Sequence, residues 1–139
     1  QLPIFKDLAQ SLPQYQFIVC QEHNLTKDEY HRMLGTAKIV FSANLQETLG
    51  ISCYEGAVVD AIPMVPDRLS YTEMYHAVFK YPSEWTKDFA SYIIHKQAVC
   101  DQIVRYMENY DSYVPQIQQQ TEDLTNHFFS AGPLLVNLR

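Results

Sequence analysis

Short apolar runs alternate with amphipathic helical patterns through the first 80 or so residues, and helical periodicity alone continues after them. Pro3 to Ser11 predicts a helix with Phe5, Leu8 and Leu12 on one side. Gln16-Phe-Ile-Val-Cys20 predicts a strand, and its apolar content predicts burial on both faces, as in a parallel sheet. Thr26 predicts the cap of a second helix, with Glu29 three positions on completing a capping box and Tyr30, Met33 and Leu34 facing inward. Lys38-Ile-Val-Phe-Ser-Ala43 reads as a buried strand entering a loop at Asn44, Ile51 to Ala61 as a helix of small residues, and Ile62-Pro-Met-Val65 as the next strand. Val78-Phe-Lys-Tyr81 predicts a last edge strand before Pro82. Beyond Ser83, Phe89, Ile93, Cys100, Ile103 and Met107 recur at helical spacing, and a further helical pattern runs through Ile117, Leu124 and Phe128. The fold class is therefore α/β, a Rossmann-like parallel sheet over residues 1–84 with a helical C-terminal segment, 85–139, packing on it.

The stretch with the most chemical content is Glu47-Thr-Leu-Gly-Ile-Ser-Cys-Tyr-Glu55. It sets two carboxylates eight positions apart across the junction between a loop and a helix, at the carboxyl end of a predicted strand, where open α/β sheets bind ligands. With eight Glu in 139 residues, a Glu-x7-Glu pair arises by chance about 0.4 times, so spacing alone selects nothing and the flanking elements carry the inference. They form a strand, a loop with Glu and Gly, a helix and a strand again. Gly50 allows backbone angles that most residues avoid and a close approach to a ligand.

This pattern resembles the donor-binding half of glycosyltransferases with the two-domain GT-B fold, in particular the retaining enzymes of glycosyltransferase family 4. Ile62-Pro-Met-Val-Pro-Asp-Arg-Leu-Ser-Tyr-Thr-Glu73 is similar to the Pro-x-Arg-Leu-x-Tyr-x-Glu segment of the tRNA-queuosine mannosyltransferase-like branch and of related phage glycosyltransferases. The similarity spans roughly residues 1 to 85 and is strongest from Phe41 to Glu73. It implies a nucleoside diphosphate sugar as donor substrate, no separate cofactor, and transfer with retention and without a required metal. A nucleic-acid base or nucleoside is the acceptor it favours. It further implies that Glu47 acts beside the donor sugar as the catalytic carboxylate and that Glu55 holds the ribose hydroxyls of the nucleotide. The C-terminal helices would cross back to an N-terminal acceptor domain. On this comparison the chain lacks that domain and the first strand and basic loop of the donor half, and so reads as a fragment, inactive alone.

Physical need agrees with these assignments. A diphosphate leaving group is anionic and is stabilised by backbone amides at a helix start, where Gly50, Ile51 and Ser52 stand. A carboxylate only accepts hydrogen bonds and sugar hydroxyls donate them, so Glu47 and Glu55 suit a polyhydroxylated ligand. Plainer roles stay open beside each. Glu55, three residues after Ser52, can complete a capping box, and Glu47 can be a solvated loop residue. Arg68 can contact phosphate or anchor its loop through Asp67 or Glu73. Tyr71 can pack the loop or flank the nucleotide, and His23 can line the cleft or simply face water. Cys53 reads as a buried small residue rather than a nucleophile. His31, His76, His95 and His127 have no metal-ligand spacing. Asp60 and Ala61 occupy the region where the family often has a small residue with Gly before the Pro-bearing strand, which bears on the helix end and on the base or sugar preference.

Composition narrows the class. A chain of 139 residues, 47% apolar and 19% charged, can bury a core as one domain. The formal net charge of −6 argues against direct nucleic-acid binding, so a nucleic-acid acceptor would be held by another part of the protein. Three widely spaced cysteines form no zinc pattern and fit reduced thiols; with no apolar run long enough to span a bilayer, the expectation is a cytoplasmic protein without a membrane span. Two other classes compete. One is a sugar-nucleotide epimerase of the same fold, a phosphorylase being weakened by the absence of a recognisable pyridoxal-lysine motif. The other is a non-catalytic nucleotide-binding or interaction domain.

Overall fold

The computed structural model describes residues 2–18, 26–43 and 51–128, with Ile51 by its backbone alone. The first helix, α1, runs Leu2–Ser11 and buries Ile4 and Leu8, with Leu12 continuing the same face just beyond its end. Spacing of four along one helical face produces this stripe, and Phe5 is only partly covered. Residues 16–18 are not part of a strand: Gln16 and Ile18 are exposed, so the expected two-faced burial fails there, and Val19 and Cys20 lie outside the described residues.

The second helix, α2 (Lys27–Thr36), opens with the expected capping box: the Glu29 amide donates to Thr26 Oγ1 and the Thr26 amide to Glu29 Oε1, each at 3.1 Å. Leu34 is its buried anchor, while Tyr30 and Met33 are half-buried.

Strand β1 (Ile39–Phe41), helix α3 (Ile51–Val58) and strand β2 (Ile62–Pro66) form a parallel βαβ unit, and β3 (Lys80–Tyr81) adds a third parallel strand in the order β1-β2-β3. A proline in a central strand normally removes a ladder bond. Here the bonds toward β1 use Ile62, whose amide donates to the Lys38 carbonyl at 2.8 Å, and Met64, whose carbonyl accepts from the Ser42 amide at 2.9 Å. Pro63 faces away from that ladder, and β3 pairs only from Val65 onward, so its missing donor costs little. Gly56 lets α3 lie close on β1: a β-carbon there would come within 2.5 Å of Val40 Cγ2.

Helix α3 ends in a Schellman turn. The Ala61 amide reaches the Gly56 carbonyl at 2.8 Å and the Asp60 amide the Ala57 carbonyl at 3.0 Å, with Asp60 at φ 66°. That left-handed position usually holds glycine, and a carboxylate at a helix C-terminus opposes the dipole. Asp60 therefore acts on the helix end. Asp60→Gly should stabilise the fold by about 1 kcal/mol, read as a raised urea midpoint at unchanged slope.

A short helix α4 (Tyr71–Met74) and two 3₁₀ turns, Ala77–Phe79 and Ser83–Thr86, lead into two long helices, α5 (Phe89–Glu108) and α6 (Tyr110–His127). Asp88 caps α5 by accepting the Ser91 amide at 2.7 Å, which holds its carboxyl below the usual range. The two faces of the sheet differ. Ile62 and Met64 enter a core shared with α1, α5 and Ile117 of α6, whereas Val65 joins Cys53, Tyr71, Met74, Tyr75 and Leu124. On α5 the expected inward face holds at Cys100 and Ile103, which are buried, and at half-buried Met107, but needs correction elsewhere: Phe89 and Ile93 are 45% and 48% exposed, and Tyr92, Val99 and Tyr106 are buried in addition. Tyrosine marks that face because each hydroxyl finds a partner on reaching the core: Tyr92 donates to Asp7 at 2.7 Å and Tyr106 to the Val78 carbonyl at 2.5 Å. Asp7 also pairs with Lys96 at 2.9 Å, and the Tyr92 bond, then Lys96, holds its carboxyl below the ordinary range. On α6, Ile117 and Leu124 are buried as expected and Phe128 is 39% exposed. Among the described residues no helix is long and apolar enough to cross a membrane.

Candidate functional site

Because the strands are parallel, the segments that leave β1, β2 and β3 emerge at one edge of the sheet. Arg68, in the segment after β2, ties that edge together. Its Nη1 donates to the Ser83 carbonyl at 2.7 Å, and its Nη2 donates to the Ala43 carbonyl and to Thr86 Oγ1, both at 3.0 Å. One planar fork thus holds the exits of all three strands, which a lysine could not match. Burial lowers the guanidinium pKa from its ordinary value. This is the loop-anchoring role, carried by carbonyls and hydroxyls, while Asp67 pairs with Lys80 at 3.7 Å. The next residue, Leu69, holds a left-handed φ of 54°.

Tyrosines complete this edge. Tyr81 donates its hydroxyl to the Ser42 carbonyl at 2.6 Å and lies 3.0 Å from Thr86 Oγ1. Burial pushes its phenol well above the usual range. Tyr71 is fully buried with its hydroxyl 3.2 Å from Ser42 Oγ, so it packs the floor of the edge rather than presenting a face to a nucleotide.

Of the residues singled out on the sequence, Glu47, Gly50 and His23 lie outside the described residues. Ile51 opens α3, and Ser52 stands exposed in its first turn. A capping box would need that serine one place ahead of the helix, so the helix-cap alternative for Glu55 does not form. Glu55 instead lies one turn into α3, partly exposed, with Oε2 3.2 Å from His31 Nε2 on α2. Cys53 is buried, and burial raises its thiol to about 12, which keeps it neutral and unreactive. Glu73 is exposed on α4.

His31 is the residue that sequence reading passed over. Its contact with Glu55 spans 24 positions and depends on α2 packing against α3, which no local spacing reveals. His76 is likewise engaged, 2.7 Å from Asp123 on α6, with the buried Gln120 accepting its amide at 2.6 Å. The His76 imidazole beside it holds the Asp123 carboxyl below the usual range. Among the described residues no three His, Cys, Asp or Glu side chains come together as a metal site would require. No protein-family model, curated protein or solved structure matches the chain.

Proposed function

We propose that this chain is the donor-binding part of a retaining glycosyltransferase, which moves a sugar from a nucleoside diphosphate sugar to an acceptor. The observation that carries the proposal is the placement of Glu55. It sits one turn into the helix that follows the first strand of a parallel βαβ unit, partly exposed and outside any capping box. There a carboxylate can accept from the hydroxyls of a nucleotide's ribose, while the amides opening α3 lie nearer the diphosphate. Glu47 is the carboxylate assigned to the donor sugar, and Arg68 sets the shape of the edge. The Arg-Leu-Ser-Tyr segment supports a nucleic-acid base or nucleoside as acceptor, held by a part of the protein less acidic than this one.

Glu55→Ala in the intact protein should weaken nucleoside diphosphate binding by about 1–3 kcal/mol, the worth of a charged hydrogen-bond acceptor. Calorimetric titration measures it. Unchanged affinity would remove Glu55 from the site.

A further inference from the structure

We propose that His31 is a positioning residue for Glu55 and thereby sets the preference of the site for a vicinal diol. This inference rests on the nucleotide-binding role given to Glu55 above. A glutamate on a helix surface samples several rotamers, and a ligand that needs one of them bears the cost of fixing it. Here the carboxylate is already held: His31 Nε2 lies 3.2 Å from Oε2, with the two side chains 45% and 35% exposed. Oε1 has no protein partner among the described residues and keeps its lone pairs for an incoming donor.

The imidazole is itself held in place. The capping box of Thr26 and Glu29 fixes the first turn of α2, and the ring of Tyr30 lies 5.7 Å from that of His31, tilted by 49°. A neutral imidazole with its proton on Nε2, or the protonated ring, donates to Oε2 and leaves Oε1 able to accept from a ligand. The pair therefore presents one fixed acceptor, matched to adjacent hydroxyls that can share it. A nucleotide lacking them gains nothing from the arrangement. As a half-exposed surface contact it adds little to stability, so its worth would lie in binding.

The test is calorimetric titration of the intact protein with uridine and guanosine diphosphates and with their 2′,3′-dideoxy counterparts. His31→Ala should weaken binding of the better ribonucleotide by about threefold to tenfold, the cost of ordering one side chain, and change the dideoxy affinity by less than about twofold. His31→Gln, whose amide can donate to the same oxygen, should restore most of the loss. An equal loss for ribo and dideoxy forms, or no loss for either, would overturn the proposal. Glu55→Ala separates this failure from failure of the underlying assignment. If Glu55→Ala weakens the ribo form more than the dideoxy form and His31→Ala does not, only the role of His31 falls. If Glu55→Ala weakens both forms equally or neither, or if the wild-type protein binds neither diphosphate, the assignment falls and the proposal with it.

Discussion

Arg68→Ala should lower the unfolding free energy by about 2–4 kcal/mol, a large effect for one side chain. The guanidinium donates to the Ala43 and Ser83 carbonyls and to Thr86 Oγ1. Each charge-assisted bond contributes roughly 1.5–3 kcal/mol net, reduced here because the group is only partly buried and its partners can recruit water once it is gone. Leu69 adds to the sensitivity, since its left-handed backbone persists only while neighbouring bonds impose it. Arg68→Lys keeps the charge but not the planar fork and should recover less than half of the loss. Urea unfolding followed by circular dichroism gives the value. If Arg68 contacted a diphosphate directly, the alanine variant would instead keep its stability and lose nucleotide affinity.

The other large effect concerns catalysis. Glu47→Gln in the intact protein should preserve the fold and most of the nucleotide affinity while slowing sugar transfer by about 10²-fold or more. The amide is isosteric and still accepts a hydrogen bond. It loses the negative charge that favours a cationic sugar as the bond between carbon and the leaving oxygen breaks. On the proposed assignment nucleotide affinity is spared, because the diphosphate and ribose contacts are given to Gly50, Ile51, Ser52 and Glu55 rather than to Glu47. Single-turnover measurements at saturating donor isolate the step. A variant with the wild-type rate would leave Glu47 a solvated loop residue.

How much of this could be read from the sequence depended on whether the deciding contacts were local. The strand over Ile39–Phe41, the helix from Ile51 and the strand over Ile62–Pro66 followed from apolar runs, and the Thr26 capping box from residues three apart. These are determined within a few positions of the chain. The inward face of α5 was legible at Cys100 and Ile103 but misjudged at Phe89 and Ile93. Tyr92 and Tyr106 carry polar tips, and their suitability for the core depends on Asp7 and the Val78 carbonyl, 85 and 28 positions away. Residues 16–18 look like a strand by composition, yet burial on both faces needs neighbours that the apolar run itself does not specify. Arg68 was legible as a candidate through its motif, but its partners come from the exits of three strands and become visible only once the sheet is assembled. The same holds for His31, whose contact with Glu55 depends on one helix lying against another. Asp60 shows the converse: its place at the end of α3 was legible in the sequence, but the left-handed φ of 66° that makes glycine the easier residue there appears only in the structure.

Product analysis is the direct test of sugar transfer. The intact protein would be incubated with radiolabelled nucleoside diphosphate sugars and candidate nucleoside and nucleic-acid acceptors, and the products separated and their anomeric configuration determined. Transfer of label to an acceptor, with the donor's anomeric configuration retained and nucleoside diphosphate released, is the predicted result. Conversion of the donor to an isomeric nucleotide sugar, or binding with no turnover on any acceptor, would contradict it.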